Sequence, residues 1–242
     1  MIYEVLAYAQ RDLRRWIRSP MNVISTLVMP AAWLIFMGVV LPGTDKGYLD
    51  FITPGVLVMT MLNAGLFGGS SLMFDKVLGY LDKFLAAPTP RESILAGKII
   101  FITVRGLLQA LVIQIIAILV GATVLSLWAY IATFAILALF GVFVASFGTT
   151  IALYLGEHDS YAAAQSFLSM PLYLASTAML RYDQMPAVLF YIAKVNPLSY
   201  AIDAARMASS GTFPLLEVAV LMAVSVVMAL LCIRMFRRAT IS

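Results

Sequence analysis

Six stretches of the chain are long, apolar and almost free of charged side chains. They cover residues 22–41, 51–74, 99–122, 128–155, 161–180 and 214–234. About 20 apolar residues in an α-helix cross a hydrocarbon core of about 30 Å, and a helix satisfies its own backbone hydrogen bonds in lipid. The pattern therefore predicts an all-α integral membrane protein with six transmembrane helices, in a single domain over residues 1–242.

Composition and charge placement support this reading. Hydrophobic residues make up 62% of the chain and charged residues 12%, whereas a soluble domain is about half apolar and a quarter charged. With the N-terminus inside, 12 of the 16 basic residues lie on the cytoplasmic side and 4 lie outside, as the positive-inside rule requires. We expect a multi-pass protein of the cytoplasmic membrane with both termini in the cytoplasm. Topology explains the net charge of +4 better than nucleic-acid binding does.

Several kinds of chemistry are missing from the sequence. It has no Gly-x-x-x-x-Gly-Lys-Ser/Thr phosphate loop, and its single histidine, His158, and single cysteine, Cys232, predict neither a metal site nor a catalytic one. Arg105 lies near the cytoplasmic end of its span, where its side chain can snorkel. Ion-coupled carriers typically bury acids or histidines at mid-membrane. Since none is present here, uphill transport requires energy from another chain.

The N-terminal segment, at about residues 3–18, has the pattern of a basic amphipathic helix. One face carries Ile2, Leu6, Ala9, Leu13, Trp16 and Ile17, and the other carries Glu4, Arg11, Arg14, Arg15 and Arg18. Such a helix lies in the membrane interface with its apolar face toward the acyl chains. An anchor that only obeys the positive-inside rule is an equally open interpretation, and the two are compatible.

The segment between the second and third spans predicts an amphipathic helix at about residues 75–87. Its apolar stripe holds Val77, Leu78, Leu81, Phe84 and Leu85, and its polar face holds Asp75, Lys76, Gly79, Asp82 and Lys83. Pro88 and Pro90 end it, because proline interrupts the helical hydrogen-bond ladder. A passive loop needs only a few turn residues, so we favour a docking surface over a helix that rests on the membrane.

The segment at about residues 181–213 is partly apolar but too broken to span the membrane. Asn196-Pro197 predicts the start of a helix, with asparagine as its cap, and Asp203 and Arg206 lie three apart on one side of it. Non-helical backbone at membrane depth is tolerated where it is buried in protein or lines a cavity. Two short re-entrant helices over a pathway, or a surface helix beside the last span, both fit.

Small residues recur inside the spans. Gly65 and Gly69 form a Gly-x-x-x-Gly pair, and Gly148 with Ala152 has the same spacing. Such pairs allow helices to approach closely. We expect packing within the bundle first and contact between subunits second.

The order of these parts resembles the type-2 ABC transporter permeases, in particular the small six-helix kind typified by daunorubicin-resistance and nodulation-factor exporters. The resemblance runs through essentially the whole chain and is strongest in two blocks. One is Leu85-Ala86-Ala87-Pro88 with Arg91. The other combines Met185-Pro186 with Asn196-Pro197-Leu198-Ser199-Tyr200, followed by Asp203 and Arg206.

The resemblance implies a role for each of these segments. The helix at 75–87 becomes a coupling helix on a separate ABC ATPase that binds Mg-ATP, and the chain itself holds no cofactor. The implied ATPase contacts are Leu81, Phe84, Leu85, Arg91 and Glu157. The N-terminal helix becomes the interfacial helix, residues 181–213 become extracellular re-entrant helices, and a second permease copy and membrane lipid are the other partners.

The sequence thus predicts a non-catalytic permease subunit of an ATP-driven exporter for a hydrophobic or amphipathic substrate, such as a drug, lipid or glycolipid. A non-transporting membrane scaffold or sensor is the alternative in a different class. A secondary carrier is disfavoured by the missing mid-membrane charges. An intramembrane enzyme is disfavoured because the sequence shows no catalytic nucleophile paired with a general base.

Overall fold

The structure is a computed structural model that describes residues 2–37, 46–80, 90–155 and 157–239. Within those ranges the regular elements are nine α-helices and a 3₁₀ turn at Tyr182–Gln184, with no strand. The helices are α1 Ile2–Ile17, α2 Pro20–Ile35, α3 Lys46–Val77, α4 Arg91–Val120, α5 Leu127–Leu155, α6 His158–Leu174, α7 Ala187–Val195, α8 Pro197–Ser209 and α9 Leu215–Ala239.

Helix α3 forms the centre of the bundle, packed mainly against α5 and α4. Its residues Val56, Leu57 and Met61 are almost completely buried, because apolar side chains from the neighbouring helices surround them. We call the end of the bundle that holds α1 the α1 end. The opposite end, where α8 packs against α5, α9 and α3, is the α8 end.

Small residues set the distance between α3 and α5. A Cβ added to Gly69 would lie 2.5 Å from the backbone of Gly148, and one added to Gly148 would lie 2.7 Å from the carbonyl oxygen of Gly65. Only glycine permits this approach, since real Cβ atoms do not come so close to backbone atoms. The Gly-x-x-x-Gly pair therefore packs the bundle internally, as expected from the sequence.

Four of the described helical stretches are long and apolar enough to cross a membrane by length and composition. They are Gly47–Asp75, Arg91–Val120, Leu127–Leu155 and Leu215–Arg238. They correspond to the predicted second, third, fourth and sixth spans. Helix α2 is apolar but has 16 residues, and helix α6 has 17. Both are shorter than the about 20 residues that cross a hydrocarbon core. The first and fifth spans, and with them the count of six, stay predictions.

Two helix boundaries differ from the sequence prediction. Helix α3 continues through Val77, so the first residues of the predicted coupling helix belong to its last turn. Gly79, at a φ of +69° that favours glycine, lies in the turn that follows. Helix α6 ends at Leu174 rather than near residue 180, because the carbonyls of Leu172 and Ala175 accept hydrogen bonds from the Asn196 amide at 2.7 and 3.1 Å.

The N-terminal helix α1 lies against α4 rather than standing apart from the bundle. A Cβ added to Gly97 on α4 would lie 2.7 Å from the side chain of Tyr8, which shows how closely the two helices approach. Ala9 and Trp16 are buried, while Ile2, Leu6 and Ile17 of the same predicted apolar face are more than half exposed. The apolar face thus divides between the protein and its surroundings.

Candidate functional site

A cavity of about 930 Å³ opens between α2, α3, α4, α6 and the end of α1. It lies toward the α1 end, because Asp12, Trp16 and Lys98 are in its wall. It extends along the bundle past Met29 on α2 and Met59 on α3. Pockets of about 300–1,000 Å³ are typical of small-molecule sites, so the cavity has room for a molecule of that size.

The cavity wall combines polar and apolar side chains. Ser19, just before α2, lines the cavity together with Asn22 and Thr26 of that helix. Asn63 and Ser70 line the cavity from α3. Helix α6 adds Gln165, Ser166 and Ser169, while the apolar wall consists of Trp16, Met29, Pro30, Met59, Phe67, Phe74, Phe101 and Met170. Polar side chains on membrane helices face the bundle interior or a cavity because lipid cannot solvate them. This wall suits an amphipathic molecule.

A cluster of buried charges forms the α1 end of the cavity. Asp12 on α1 and Asp75 on α3 are 5% and 2% exposed, and Lys98 on α4, at 3%, lies between them. The Lys98 Nζ is 2.7 Å from Asp12 Oδ2 and 2.5 Å from Asp75 Oδ2. Arg11 Nη2 contacts both carboxylates, at 2.5 and 3.1 Å, and Arg15 Nη1 is 4.0 Å from Asp75. The cluster therefore joins three helices.

Asp75 does not occupy the solvent-facing polar face that the sequence pattern assigned to it. It lies in the last turn of α3, five residues before Tyr80, and its carboxylate points into the bundle toward Lys98. Burial is tolerated because buried charges persist when they are paired and hydrogen-bonded. The chain that leaves α3 and the chain that enters α4 are thus fixed to each other and to α1 at this point.

Two of the five predicted ATPase contacts lie in the described part of the chain. Leu81, Phe84 and Leu85 lie outside the described residues. Arg91 is the exposed first residue of α4. Glu157 is the exposed residue before α6, where its Oε2 is 3.5 Å from the Ser160 hydroxyl. Arg91 lies at the α1 end, because the nearby Ser93 hydroxyl is 3.4 Å from the Glu4 carboxylate of α1. Glu157 lies there too, because the ring of its neighbour His158 is 4.7 Å, between centroids, from that of Phe74 near the end of α3.

The residues predicted for the interfacial helix divide into two groups. Arg11 and Arg15 contact the buried carboxylates, as described above, whereas Arg14 and Arg18 are exposed. Trp16 is buried, and its ring lies 5.5 Å from the guanidinium carbon of Arg105 on α4. Arg105 therefore does not snorkel to the surface as the sequence suggested, because α1 and its tryptophan cover it.

At the α8 end, Asn196 fixes the junction between α7 and α8. Its side-chain oxygen accepts from the amide of Leu198 at 3.0 Å, and its side-chain nitrogen donates to the two carbonyls at the end of α6. Asn196 is thus the predicted helix cap, and Pro197 is the first residue of α8. Tyr200 donates to the carbonyl of Lys194 at 2.9 Å, and Pro186 immediately precedes α7. These residues hold α7 and α8 together.

Asp203 and Arg206 attach α8 to its neighbours. Asp203 accepts from Thr177 at 2.8 Å and from Tyr182 at 3.0 Å, and lies 3.6 Å from Arg206. Arg206 donates to the carbonyls of Phe51 and Ala178 at 3.1 and 3.2 Å, with its guanidinium 3.7 Å from the Phe51 ring centroid. Burial raises the pKa of the Asp203 carboxyl, and burial lowers the pKa of Arg206 to about 10.

Sequence reasoning missed the buried cluster of Asp12, Asp75 and Lys98. The available signal was the placement of the charges. Asp12 is the one carboxylate within the basic half of α1, Asp75 directly follows an uncharged stretch, and Lys98 directly precedes another. Each of these positions also fits an ordinary helix end at a membrane surface, so the pattern gave no reason to pair them.

The sequence is similar to known proteins over most of its length. The family described as ABC-2 type transporter matches residues 3–209. The chain belongs to the ABC-2 type transporter family. The ycf38 protein of Cyanophora paradoxa, whose name describes a transport permease, is 31% identical over 85% of this chain and 73% of its own length. The daunorubicin resistance ABC transporter permease protein DrrB1 of Streptomyces coeruleorubidus is 24% identical over 96% of this chain and 85% of its own. Nodulation protein J of Rhizobium leguminosarum bv. viciae is 24% identical over 83% and 80%.

Family membership identifies the chain as an ABC transporter permease of the membrane. Its relatives include drug-resistance permeases. The family implies a partner ATPase subunit, since the permease subunits of these transporters are not themselves catalytic. The cavity and the buried charge cluster are then the features of the permease to explain.

Proposed function

We propose that this chain is the transmembrane subunit of an ATP-driven exporter that moves a hydrophobic or amphipathic substrate outward across the cytoplasmic membrane. A separate subunit hydrolyses ATP. The observation that carries the proposal is the cavity of about 930 Å³, whose wall combines hydroxyl and amide groups with methionine and aromatic side chains. Such a wall accommodates an apolar body and a polar head together.

In this proposal the α1 end faces the cytoplasm and the ATPase. The segment that follows Asp75 docks on the ATPase, and Leu81, Phe84 and Leu85 supply apolar contacts there. The ion pairs of Lys98 with Asp75 and Asp12 connect that segment to α1 and α4. A displacement of the segment is then transmitted to the helices that line the cavity, since packed helices move as rigid bodies.

Two copies of the permease enclose the pathway in this proposal. Exposed apolar side chains flank the cavity on both sides. Val28 and Met29 on α2 are 55% and 63% exposed, and Phe167 and Met170 on α6 are 77% and 49% exposed. These surfaces contact either lipid or the second copy, and helices α7 and α8 close the pathway at the outer end.

The partner ATPase is the part of the proposal to test first. The tagged chain is expressed in its own membrane, extracted in mild detergent, and analysed for co-purifying proteins and for ATP hydrolysis. We expect a stoichiometric subunit with nucleotide-binding motifs whose activity depends on this chain. A chain that purifies alone, or with a partner that lacks such motifs, contradicts the proposal and favours the scaffold interpretation.

A matched pair of variants locates the docking segment. Phe84→Glu places a charge within the proposed apolar contact and should remove the ATPase from the purified complex. Phe213→Glu makes the same change at the opposite end of the protein, where the phenylalanine is 77% exposed, and should leave the complex intact. Retention of the ATPase by Phe84→Glu would show that this segment is not the docking site.

A further inference from the structure

Arg105 is a buried cation that has no counter-ion among the described residues, and it lies in the wall of the cavity. Lys98, Arg105 and Arg206 have the most deeply buried basic side chains that the structure describes. Lys98 has two carboxylates within 2.7 Å, and Arg206 has Asp203 and two carbonyls. Across the described ranges, Arg105 has neither an ion pair nor a hydrogen bond, and its Nε is enclosed without an acceptor.

Position along α4 sharpens this contrast. Arg105 follows Lys98 by seven residues, which is two turns, so both side chains occupy the same face of the helix about 10 Å apart along its axis. Both line the cavity. The protein therefore neutralises the cation nearer the α1 end with Asp12 and Asp75. It leaves Arg105, which lies further from that end and is 8% exposed, without a carboxylate in the part of the chain that the structure describes.

Burial of an unpaired charge is costly, and buried charges are normally paired. The Trp16 ring, 5.5 Å from the guanidinium carbon, provides a cation–π contact that offsets a small part of this cost. It does not replace an anion, because a cation–π contact is weaker than a charge-assisted hydrogen bond. A guanidinium presents its donors in a fixed fork that matches phosphate and carboxylate groups.

The rest of the cavity wall contains both charged and apolar side chains. Arg15 also lines the cavity, and the basic side chains of the described lining outnumber the two acidic ones. The same wall carries the apolar side chains of Met29, Met59 and Phe67. We propose that the cavity binds an amphipathic molecule with an anionic head group, a phosphate, sulfate or carboxylate, held by Arg105, with its apolar tail among these side chains.

This inference rests on the proposed function, because it names the charge class of the cargo. Its test uses the permease alone, in nanodiscs of phosphatidylcholine, which carries no net charge. Tritium-labelled decyl phosphate is the anionic probe and decyltrimethylammonium is the cationic probe of equal chain length. Binding is measured by equilibrium dialysis, and uptake by empty nanodiscs is subtracted.

We expect saturable binding of decyl phosphate that weakens about tenfold or more in Arg105→Gln, since a hydrogen bond to a charged group contributes that much. Arg105→Lys keeps the charge without the fork and should lie between the two. Arg14→Gln removes an exposed arginine from α1 and should bind as the unaltered protein does. Binding of decyltrimethylammonium should be weaker than that of decyl phosphate and should not weaken in Arg105→Gln, because that variant removes a repelling charge.

Equal affinity of Arg105→Gln and the unaltered protein for decyl phosphate overturns the inference, as does preference for the cationic probe. Native mass spectrometry distinguishes a cargo site from a permanently held lipid. An anionic phospholipid that co-purifies with the protein and is not displaced by decyl phosphate means that Arg105 holds a structural lipid, which also overturns the cargo assignment. Neither result affects the proposed function, because co-purification of the ATPase tests that independently.

Discussion

Replacing Asp75 by asparagine is the perturbation that most directly probes the connection between α1, α3 and α4. The substitution keeps the size of the side chain and removes its charge. Asp75 is 2% exposed and contacts Lys98 at 2.5 Å and Arg11 at 3.1 Å. Removing one partner of a buried ion pair costs about 3–5 kcal/mol because the other charge is left uncompensated.

The expected cost of Asp75→Asn is smaller than this, because Lys98 keeps a second carboxylate as a partner. Asp12 Oδ2 remains 2.7 Å from its Nζ, so the lysine is not left without a counter-ion. We therefore expect a cost nearer to that of one hydrogen bond to a charged group, about 2–3 kcal/mol. For a chain of this size that corresponds to an apparent melting temperature lower by about 5–10 °C.

The assay is the fraction of detergent-extracted protein that stays monodisperse after heating. Asp183→Asn is the control, because Asp183 is exposed at the opposite end. The double variant Asp75→Asn with Lys98→Gln should be less destabilised than the sum of the two single variants, since it leaves neither charge unpaired. A change of less than about 0.5 kcal/mol in Asp75→Asn, or strict additivity of the double variant, would refute this account of the cluster.

Two further predictions concern packing and the α8 end. Gly148→Ala places a Cβ 2.7 Å from the Gly65 carbonyl and should destabilise the protein by about 1–3 kcal/mol. At Gly47 an added Cβ has no atom of the described residues within 4 Å, so Gly47→Ala should leave the melting temperature unchanged. Equal behaviour of the two variants contradicts the packing argument. Arg206→Lys keeps the charge but loses the fork that reaches the carbonyls of Phe51 and Ala178, so we expect a loss of about 1–3 kcal/mol. Arg181→Lys, at an exposed arginine, is its control, and a loss of equal size there means that the two carbonyl contacts are not responsible.

Sequence patterns predicted best those features that depend on local chemistry. The cap at Asn196 and the proximity of Asp203 and Arg206 follow from spacing within one helix, and the structure shows both. Apolar runs likewise located the four helices that, among the described residues, are long and apolar enough to cross a membrane.

Features that depend on tertiary contacts were not accessible in this way. Helical periodicity placed Asp75 on an outward polar face, but the lysine that pairs with it lies 23 positions further along the chain. The sequence predicts that the Arg105 side chain snorkels, because it shows only how far Arg105 lies from the end of its own span. Its burial depends on Trp16, which arrives from α1. The end of α6 differs from its predicted position for the same reason, since the side-chain amide that donates to its final carbonyls belongs to Asn196.

The central claim is that the cavity is a transport pathway whose access is controlled by ATP, and cysteine accessibility tests it without knowledge of the substrate. Ser70→Cys and Ser166→Cys, both in the cavity wall, are made in a background in which the buried Cys232 is replaced by alanine. Inside-out vesicles that contain the transporter and its ATPase are treated with a membrane-impermeant maleimide.

We expect both cysteines to react when nucleotide is absent and to become protected when ATP and vanadate trap the closed ATPase. Ser210→Cys, exposed at the α8 end, should stay unreactive in these vesicles in both states. Labelling of the cavity cysteines that does not change with nucleotide while ATP hydrolysis proceeds would contradict the claim that this cavity is the pathway.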